Sequence, residues 1–115
     1  MGMFTPYILT NTPLSANGVY HSNFTPTTSE RDVYSIIAMA SSNVGGTLYV
    51  EQSVDGINVI RADSLAMASY TDSNGNTNYS AMLKVAIVAP FVRVSYVNGS
   101  TAQTWFVLTE VFTKV

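Results

Sequence analysis

The stretch GGTLYVEQSVDGINV, residues 45–59, predicts a β-strand that runs into a tight turn. Its apolar and polar residues alternate, so Leu48, Val50 and Val54 are expected to share one face of the strand. The Asp-Gly pair at 55–56 is a strong turn signal, because glycine adopts a positive φ without steric conflict. The stretch also carries two carboxylates, which could serve the fold or form an active site.

The same pattern continues on both sides of this stretch. Val, Ile, Thr, Tyr and Phe dominate, turn residues recur at short intervals, and no segment shows a helical period. Pro90 ends one strand, the Asn-Gly pair at 98–99 favours a hairpin, and residues 71–78 are predicted to form a loop. The main predicted strands are residues 32–41, 47–54, 57–67 (its last part irregular), 79–88, 91–97 and 104–112.

The spacing of these strands predicts the fold class. About seven or eight strands separated by regular turns are typical of an all-β chain, and we predict an antiparallel β-sandwich. Within the strands, alternation predicts which side chains share a face. These sets are Leu83, Val85 and Ile87; Val92, Val94 and Tyr96; and Phe106 and Leu108, the last pair opposed to Trp105 and Val107.

The first 30 residues differ from the rest of the chain. Three prolines punctuate them, and proline is found at sheet edges rather than in central strands. We predict an extended N-terminal arm over 1–30, with edge strands near 7–10 and 18–24, followed by a sandwich domain over 31–115. The arm either pairs with a neighbouring chain or completes the sandwich of its own chain.

Charged residues are scarce. They make up 10% of the 115 residues, where roughly a quarter is usual, and the net charge is −2. Neutral polar residues replace them, a composition that suits a component of an assembly. The basic residues are scattered, so no nucleic-acid surface is expected. Cysteine is absent and His21 is the single histidine, which argues against thiolate or multi-histidine metal sites.

Glu51 and Asp55 are the first candidates for catalysis. A glycosidase needs two carboxylates that face each other across a groove. These two lie four residues apart on a strand and its turn, so a distant partner such as Asp63 or Glu110 would be required. We favour the alternative in which Glu51 is a solvent-facing strand residue and Asp55 caps the backbone of its own turn.

Two further motifs are weaker. His21 could act as a general base, but no nucleophile-elbow motif accompanies it. Residues 72–78 resemble a calcium loop, yet Gly75 is at the fourth position instead of the sixth and Leu83 stands where an EF-hand has its twelfth-position glutamate, so a polar hairpin loop is favoured. No catalytic, cofactor-binding or metal-ligating residues are therefore predicted.

Aromatic and apolar side chains remain as candidates for interaction. An extended segment such as residues 4–14 can add a strand to the sheet edge of a neighbour. Exposed Tyr or Trp on a β-sandwich can stack on sugar rings. The residues predicted to contact partners are Phe4, Tyr7, Ile8, Leu9, Tyr20 and Trp105.

Residues 32–112 resemble small β-sandwich proteins encoded among the virion genes of tailed bacteriophages. In those proteins a Gly-Thr-Leu strand ends in Ser-x-Asp-Gly, and an aromatic-x-Arg-Val strand followed by Tyr-x-Asn-Gly comes later. Val59 departs from the pattern, since Trp is common there. The matching residues are Gly46, Thr47, Leu48, Ser53, Asp55, Gly56, Asn58, Phe91, Arg93, Val94, Tyr96, Asn98 and Gly99.

The resemblance implies a structural component of a bacteriophage virion. We expect a capsid decoration or auxiliary protein that is not an enzyme, forms homo-oligomers and binds the major capsid protein or other virion proteins. It would be assembled into the virion in the host cytoplasm, without cofactors, nucleic acid or membrane as partners. The alternative is a carbohydrate-binding or host-adhesion module of a head or tail fibre.

Overall fold

The computed structural model describes residues 2–3, 6–27 and 33–114, and all regular structure in these ranges is β-strand. This confirms the all-β prediction; the described strands number eleven because several short ones join the predicted set. They are β1 (Gly2–Met3), β2 (Tyr7–Thr10), β3 (Val19–His21), β4 (Thr25–Pro26), β5 (Val33–Ser42), β6 (Gly46–Ser53), β7 (Val59–Ala66), β8 (Ala68–Thr71), β9 (Thr77–Ala86), β10 (Phe91–Asn98) and β11 (Phe106–Lys114).

The strands form two antiparallel sheets. One sheet has six strands in the order β1-β11-β5-β9-β8, with β2 also paired to β11. The other has five strands in the order β3-β10-β6-β7, with β4 also paired to β10. The two sheets enclose one apolar core, which confirms the predicted sandwich.

Most connections pass from one sheet to the other, and only the β6–β7 and β8–β9 links join neighbouring strands of a sheet. The prediction of a hairpin at 98–99 is wrong, because β10 and β11 belong to different sheets. The Asn98 side chain is buried and donates hydrogen bonds to the carbonyl oxygens of Ser15 and Thr101. Asn98 therefore anchors a crossing connection.

The core consists of the inward rows that alternation predicted. The shared faces of β10 and β11 are confirmed, and the inward residues of β5 complete the row beside them. One prediction in the opening stretch is wrong: Val54 is 59% exposed, since the strand ends at Ser53. The buried core residues are Ile36, Ala38, Ala40, Leu48, Val50, Ala81, Val85, Val92, Val94, Tyr96, Phe106 and Leu108.

Gln52 occupies the inward position of β6 that follows Val50. Its side chain is fully buried, and its amide donates to the carbonyl oxygen of Ala86 at 3.1 Å. Its Oε1 accepts from the backbone N–H groups of Val88 at 2.8 Å and Ala89 at 3.2 Å. A single side chain thus satisfies three backbone groups of the β9–β10 connection, which lies between the two sheets.

The N-terminal strands pair with the last two strands of the same chain. β1 and β2 pair with β11, whereas β3 and β4 pair with β10. Of the two alternatives for the arm, the structure thus has the one in which it completes its own sandwich. The pairing of β2 with β11 shifts register between Leu108 and Thr109, so Leu9 lies in a bulge.

Candidate functional site

A cleft opens where β2 and β3 bring the two sheets together. It encloses about 190 Å³ and is smaller than the roughly 300–1,000 Å³ of drug-sized ligand sites. The six-stranded sheet supplies residues of β2 and β11, and the other sheet supplies β3, β4 and their connection. The lining residues are Tyr7, Leu9, Tyr20, Ser22, Asn23, Thr25 and Glu110.

Glu110 is the acidic residue of the cleft. It belongs to the inward row of β11, between Leu108 and Phe112, both of which pack against the core. The residue is only 9% exposed, and no described residue donates a hydrogen bond to its carboxyl group. Burial raises the pKa of Glu110 above its ordinary value, because a charged carboxylate is poorly solvated there.

Tyr20 lies across the cleft and joins the two sheets. Its hydroxyl donates to the carbonyl oxygen of Leu9 at 3.2 Å. Burial, the charge of Glu110 and the nearby Tyr7 together raise the pKa of Tyr20. The hydroxyl therefore stays protonated over the physiological pH range and acts as a hydrogen-bond donor.

The residues predicted to contact partners fall into three places. Tyr7, Leu9 and Tyr20 meet in the cleft, whereas Ile8 is exposed on the outer face of the six-stranded sheet. Trp105 is 37% exposed, and its backbone N–H lies beside the Asn43 side chain. Phe4 lies outside the described residues.

A second polar cluster lies on the outer face of the five-stranded sheet. Glu51 accepts hydrogen bonds from the Arg93 guanidinium at 2.8 Å and from the Ser95 hydroxyl at 2.6 Å. The Nδ1 atom of His21 lies 2.7 Å from the same Ser95 oxygen, and the Arg93 guanidinium packs over the Phe24 ring at 4.6 Å. The cluster ties β3, β10 and β6 together.

The prediction that Glu51 faces solvent is only half right. The residue is on the outer face, but its side chain is 16% exposed because Arg93 and Ser95 cover it. Burial acts to raise the pKa of Glu51, yet the hydrogen bonds from Ser95 and Arg93 and the nearby positive charges outweigh it and lower that pKa. Glu51 is therefore an ionised carboxylate whose Oε1 accepts from both Arg93 and Ser95.

The order of contacts in this cluster differs from a catalytic triad. In a triad the carboxylate holds the histidine, which then takes the serine proton. Here Ser95 donates to Glu51 itself, and Ser95 is 1% exposed. The arrangement stabilises strand pairing and does not present an activated serine to solvent.

The two turn carboxylates support their own loops. Asp55 accepts from the backbone N–H groups of Ile57 and Asn58, each at 2.8 Å, which confirms that it caps its turn. Asp72 accepts from the backbone of Asn74 and Asn76 in the β8–β9 hairpin, as predicted for a polar loop. Both loops are Asx-type turns.

Sequence reasoning named three residues of the cleft as interaction residues, and it named Glu110 only as a possible distant catalytic partner of Glu51. The available signal was the alternation of β11, which places Glu110 in the same row as Phe106 and Leu108. A charged residue in an otherwise apolar row indicates either a paired charge or a site. The Glu51 cluster left no signal of this kind, because it depends on the registers of three strands.

The fold also occurs in a solved structure. The crystal structure of the PBSX exported protein XepA superposes with a TM-score of 0.75 at 22% sequence identity. The match covers 96% of this chain and 37% of the XepA chain, so this chain spans little more than a third of that protein's length. No curated protein matches the sequence.

The sequence itself matches a described family over almost its whole length. The match covers residues 3–113 and therefore includes both sheets and the cleft. The family is that of the N-terminal domain of the uncharacterised protein YqxG. The chain belongs to the YqxG N-terminal domain family.

Proposed function

We propose that the chain is a structural, partner-binding domain of a bacteriophage virion, and more specifically a capsid decoration or auxiliary protein. Two likenesses support this setting: the resemblance of residues 32–112 to virion β-sandwich proteins, and the fold shared with the PBSX exported protein XepA. The scarcity of charge in the sequence agrees with a protein held in an assembly.

One surface carries the proposal. The outer face of the six-stranded sheet bears a cross-strand row of four uncharged residues, Ile8, Thr109, Met39 and Met82, which are register partners across β2, β11, β5 and β9. Ile8 and Met82 are both exposed, Met82 to 65%. A row of uncharged residues with exposed apolar side chains at both ends is typical of a protein–protein interface.

The proposed partner of this row is the major capsid protein or another virion protein, with copies of the chain arranged as a homo-oligomer. No catalysis is required of it. The carboxylates of Glu51 and Asp55 are both occupied by hydrogen bonds within the chain, which favours a structural role for each.

A charge placed in the row tests this function. Met82→Asp is expected to abolish binding of the purified protein to virions that lack it, because the carboxylate would be desolvated in the interface. Ile60→Asp is the matched control: Ile60 is 57% exposed on β7 of the other sheet, and this variant should bind normally. Co-sedimentation with purified particles measures both.

The salt dependence of the same assay adds a second criterion. Few charges are available on the chain, so binding should change little between low and moderate salt. Wild-type binding that Met82→Asp leaves intact, or that disappears at moderate salt, would count against this interface.

A second candidate function is a carbohydrate-binding or adhesion module of a head or tail fibre. The partial exposure of Trp105 favours it, since an exposed indole can stack on a sugar ring. It predicts quenching or enhancement of Trp105 fluorescence by host surface glycans. An unchanged spectrum at saturating glycan concentrations would remove this candidate.

A further inference from the structure

Glu110 does nothing for the fold that an apolar residue would not do better. The row to which it belongs holds Phe106, Leu108 and Phe112, and its neighbours in the row pack against the core. A carboxyl group that is largely removed from water, and to which no described residue donates a hydrogen bond, opposes folding when it is ionised. A residue that opposes folding and lines a cleft is a residue kept for binding.

No hydrogen bond from a described residue reaches this carboxyl group. Tyr20 donates its hydroxyl to Leu9, and Ser22 donates to the carbonyl oxygen of Asn23 while it accepts from the Val94 N–H. These nearby hydroxyl donors are therefore directed elsewhere.

The lining also sets the charge and the size of what can enter. The seven lining residues that the structure describes include one acid, two tyrosines and no basic residue. His21, the nearest basic residue in sequence, faces the opposite side of its sheet, where it contacts Ser95. A volume of about 190 Å³ admits one small group rather than a large ligand.

We propose that the cleft binds a single organic cation, an ammonium or guanidinium group supplied either by a free amine or by a Lys or Arg side chain of another protein. A cation would offset the desolvation cost of the Glu110 carboxylate through a charge-assisted hydrogen bond. The rings of Tyr7 and Tyr20 add cation–π attraction at short range.

A neutral sugar fits the same lining less well. Its hydroxyl groups can donate to Glu110, but they leave the negative charge of the cleft uncompensated. The proposal concerns a binding site and does not depend on where in a phage particle the protein is located. Its failure would therefore leave the proposed function standing, and the reverse is also true.

Titration by NMR tests the proposal with defined probes. The full chain, with ¹³C in its glutamate side chains, is titrated with n-butylammonium and ethylguanidinium chlorides, and with n-butanol and galactose as neutral probes. Both cations should shift the Glu110 carboxyl resonance saturably, and the neutral probes should not. Cation binding should strengthen as pH rises through the raised pKa of Glu110, because the carboxyl group must be ionised; Tyr7 and Tyr20 are the other titratable groups in the lining.

Matched variants separate the cleft from the rest of the surface. Glu110→Gln should weaken cation binding at least about tenfold, the equivalent of one hydrogen bond to a charged group, while Asp63→Asn should not change it. Tyr7→Ser should weaken binding, and Tyr70→Ser, at the far edge of the same sheet, should not. Tyr7 and Tyr70 are both exposed, so neither change endangers folding.

The affinity of a lysine-containing peptide, compared with that of butylammonium, distinguishes the two sources of the cation. A peptide that binds much more tightly than butylammonium indicates a partner's side chain, and equal affinity indicates a free amine; both results support the site. Equal binding of cations and neutral probes, galactose preferred over both cations, or cation binding that Glu110→Gln leaves intact would overturn it.

Discussion

At the scale of single residues, Gln52 shows how a polar side chain can be part of a core. Its amide lies in the inward row of β6 and meets three backbone groups of the β9–β10 connection. A leucine would fit the row but would leave those groups buried without partners. Gln52 therefore stabilises the fold through hydrogen bonds and not through the burial of apolar surface.

Gln52→Leu is expected to lower the free energy of unfolding by at least about 3 kcal/mol, because three backbone groups lose their partner and each costs about 1–3 kcal/mol. Gln103→Leu is the comparison, since the Gln103 Oε1 accepts from one backbone N–H, that of Leu14, at 2.7 Å. The free energy of unfolding of Gln103→Leu should be lower than that of the wild type by about 1 kcal/mol. Urea unfolding of the three proteins measures both effects, and a Gln52→Leu protein as stable as the wild type would refute this assignment.

Two adjacent glycines differ in what surrounds them. A Cβ added at Gly46 would lie 2.6 Å from Cζ of Tyr96 and 2.7 Å from the Val97 carbonyl oxygen, which is too close for either. A Cβ at Gly45 would make ordinary contacts of 3.5 Å with the Tyr79 ring. Gly46 is thus required by the close approach of Tyr96.

Gly46→Ala is expected to destabilise the protein by about 1–3 kcal/mol through overpacking, whereas Gly45→Ala should have a small effect. Thermal unfolding followed by circular dichroism compares the two variants. Equal melting temperatures for both would show that the Tyr96 contact does not matter.

At the scale of elements, the β6–β7 turn is held by its own carboxylate. Asp55 accepts from the backbone N–H groups of Ile57 and Asn58, and from the side chains of Asn58 and Ser53. These hydrogen bonds, led by that of the Asn58 N–H, hold the pKa of Asp55 well below its ordinary value. The turn is therefore formed most firmly when the carboxylate is ionised.

This shift predicts an acid-sensitive contribution to stability. Because the pKa of Asp55 is lower in the folded protein, its contribution is present above the ordinary Asp pKa and is lost as the pH falls towards the folded-state value. The stability difference between wild type and Asp55→Asn should accordingly shrink as the pH falls from 7 into this acid range. Denaturant unfolding over a pH series measures it, and a difference independent of pH would contradict it.

The inward faces of strands could be predicted from the sequence, because they follow from local alternation. Features that depend on contacts with distant segments could not be predicted. The inward faces of β10 and β11 follow from period-two patterns that need no knowledge of the other strands. The burial of Gln52 depends on a connection more than 30 residues away that happens to present two N–H groups. The Asn98–Gly99 pair lies in a connection between the two sheets and not in a hairpin, because the next strand joins the other sheet. No local sequence signal specifies the sheet that a strand joins.

The cleft likewise combines residues that could be predicted from the sequence with a spatial arrangement that could not. Apolar residues of β2 were identified because they stand in a proline-punctuated segment, and the acid of β11 was weighed only as a distant catalytic partner. Their meeting depends on the pairing of Tyr7 with Glu110 and on the bulge at Leu9. The register of two strands depends on both sequences together, so it cannot be predicted from either strand alone.

At the scale of the whole molecule, the short N-terminal strands cover the ends of both sheets beside β10 and β11. Exposed sheet edges invite pairing with other chains, and short edge strands limit such pairing. The part of the chain that the structure describes contains no helix that is long and apolar enough to cross a membrane. A surface left for association is the uncharged row on the outer face of the six-stranded sheet, with Ile8 and Met82 exposed in it.

The most direct test of the proposed role is an electron cryo-microscopy reconstruction of the phage particle that contains this chain. We predict density for the two-sheet sandwich on the particle, with the row of Ile8, Thr109, Met39 and Met82 covered by another virion protein. A particle without such density, or one in which this row faces solvent in every copy, would contradict the proposal.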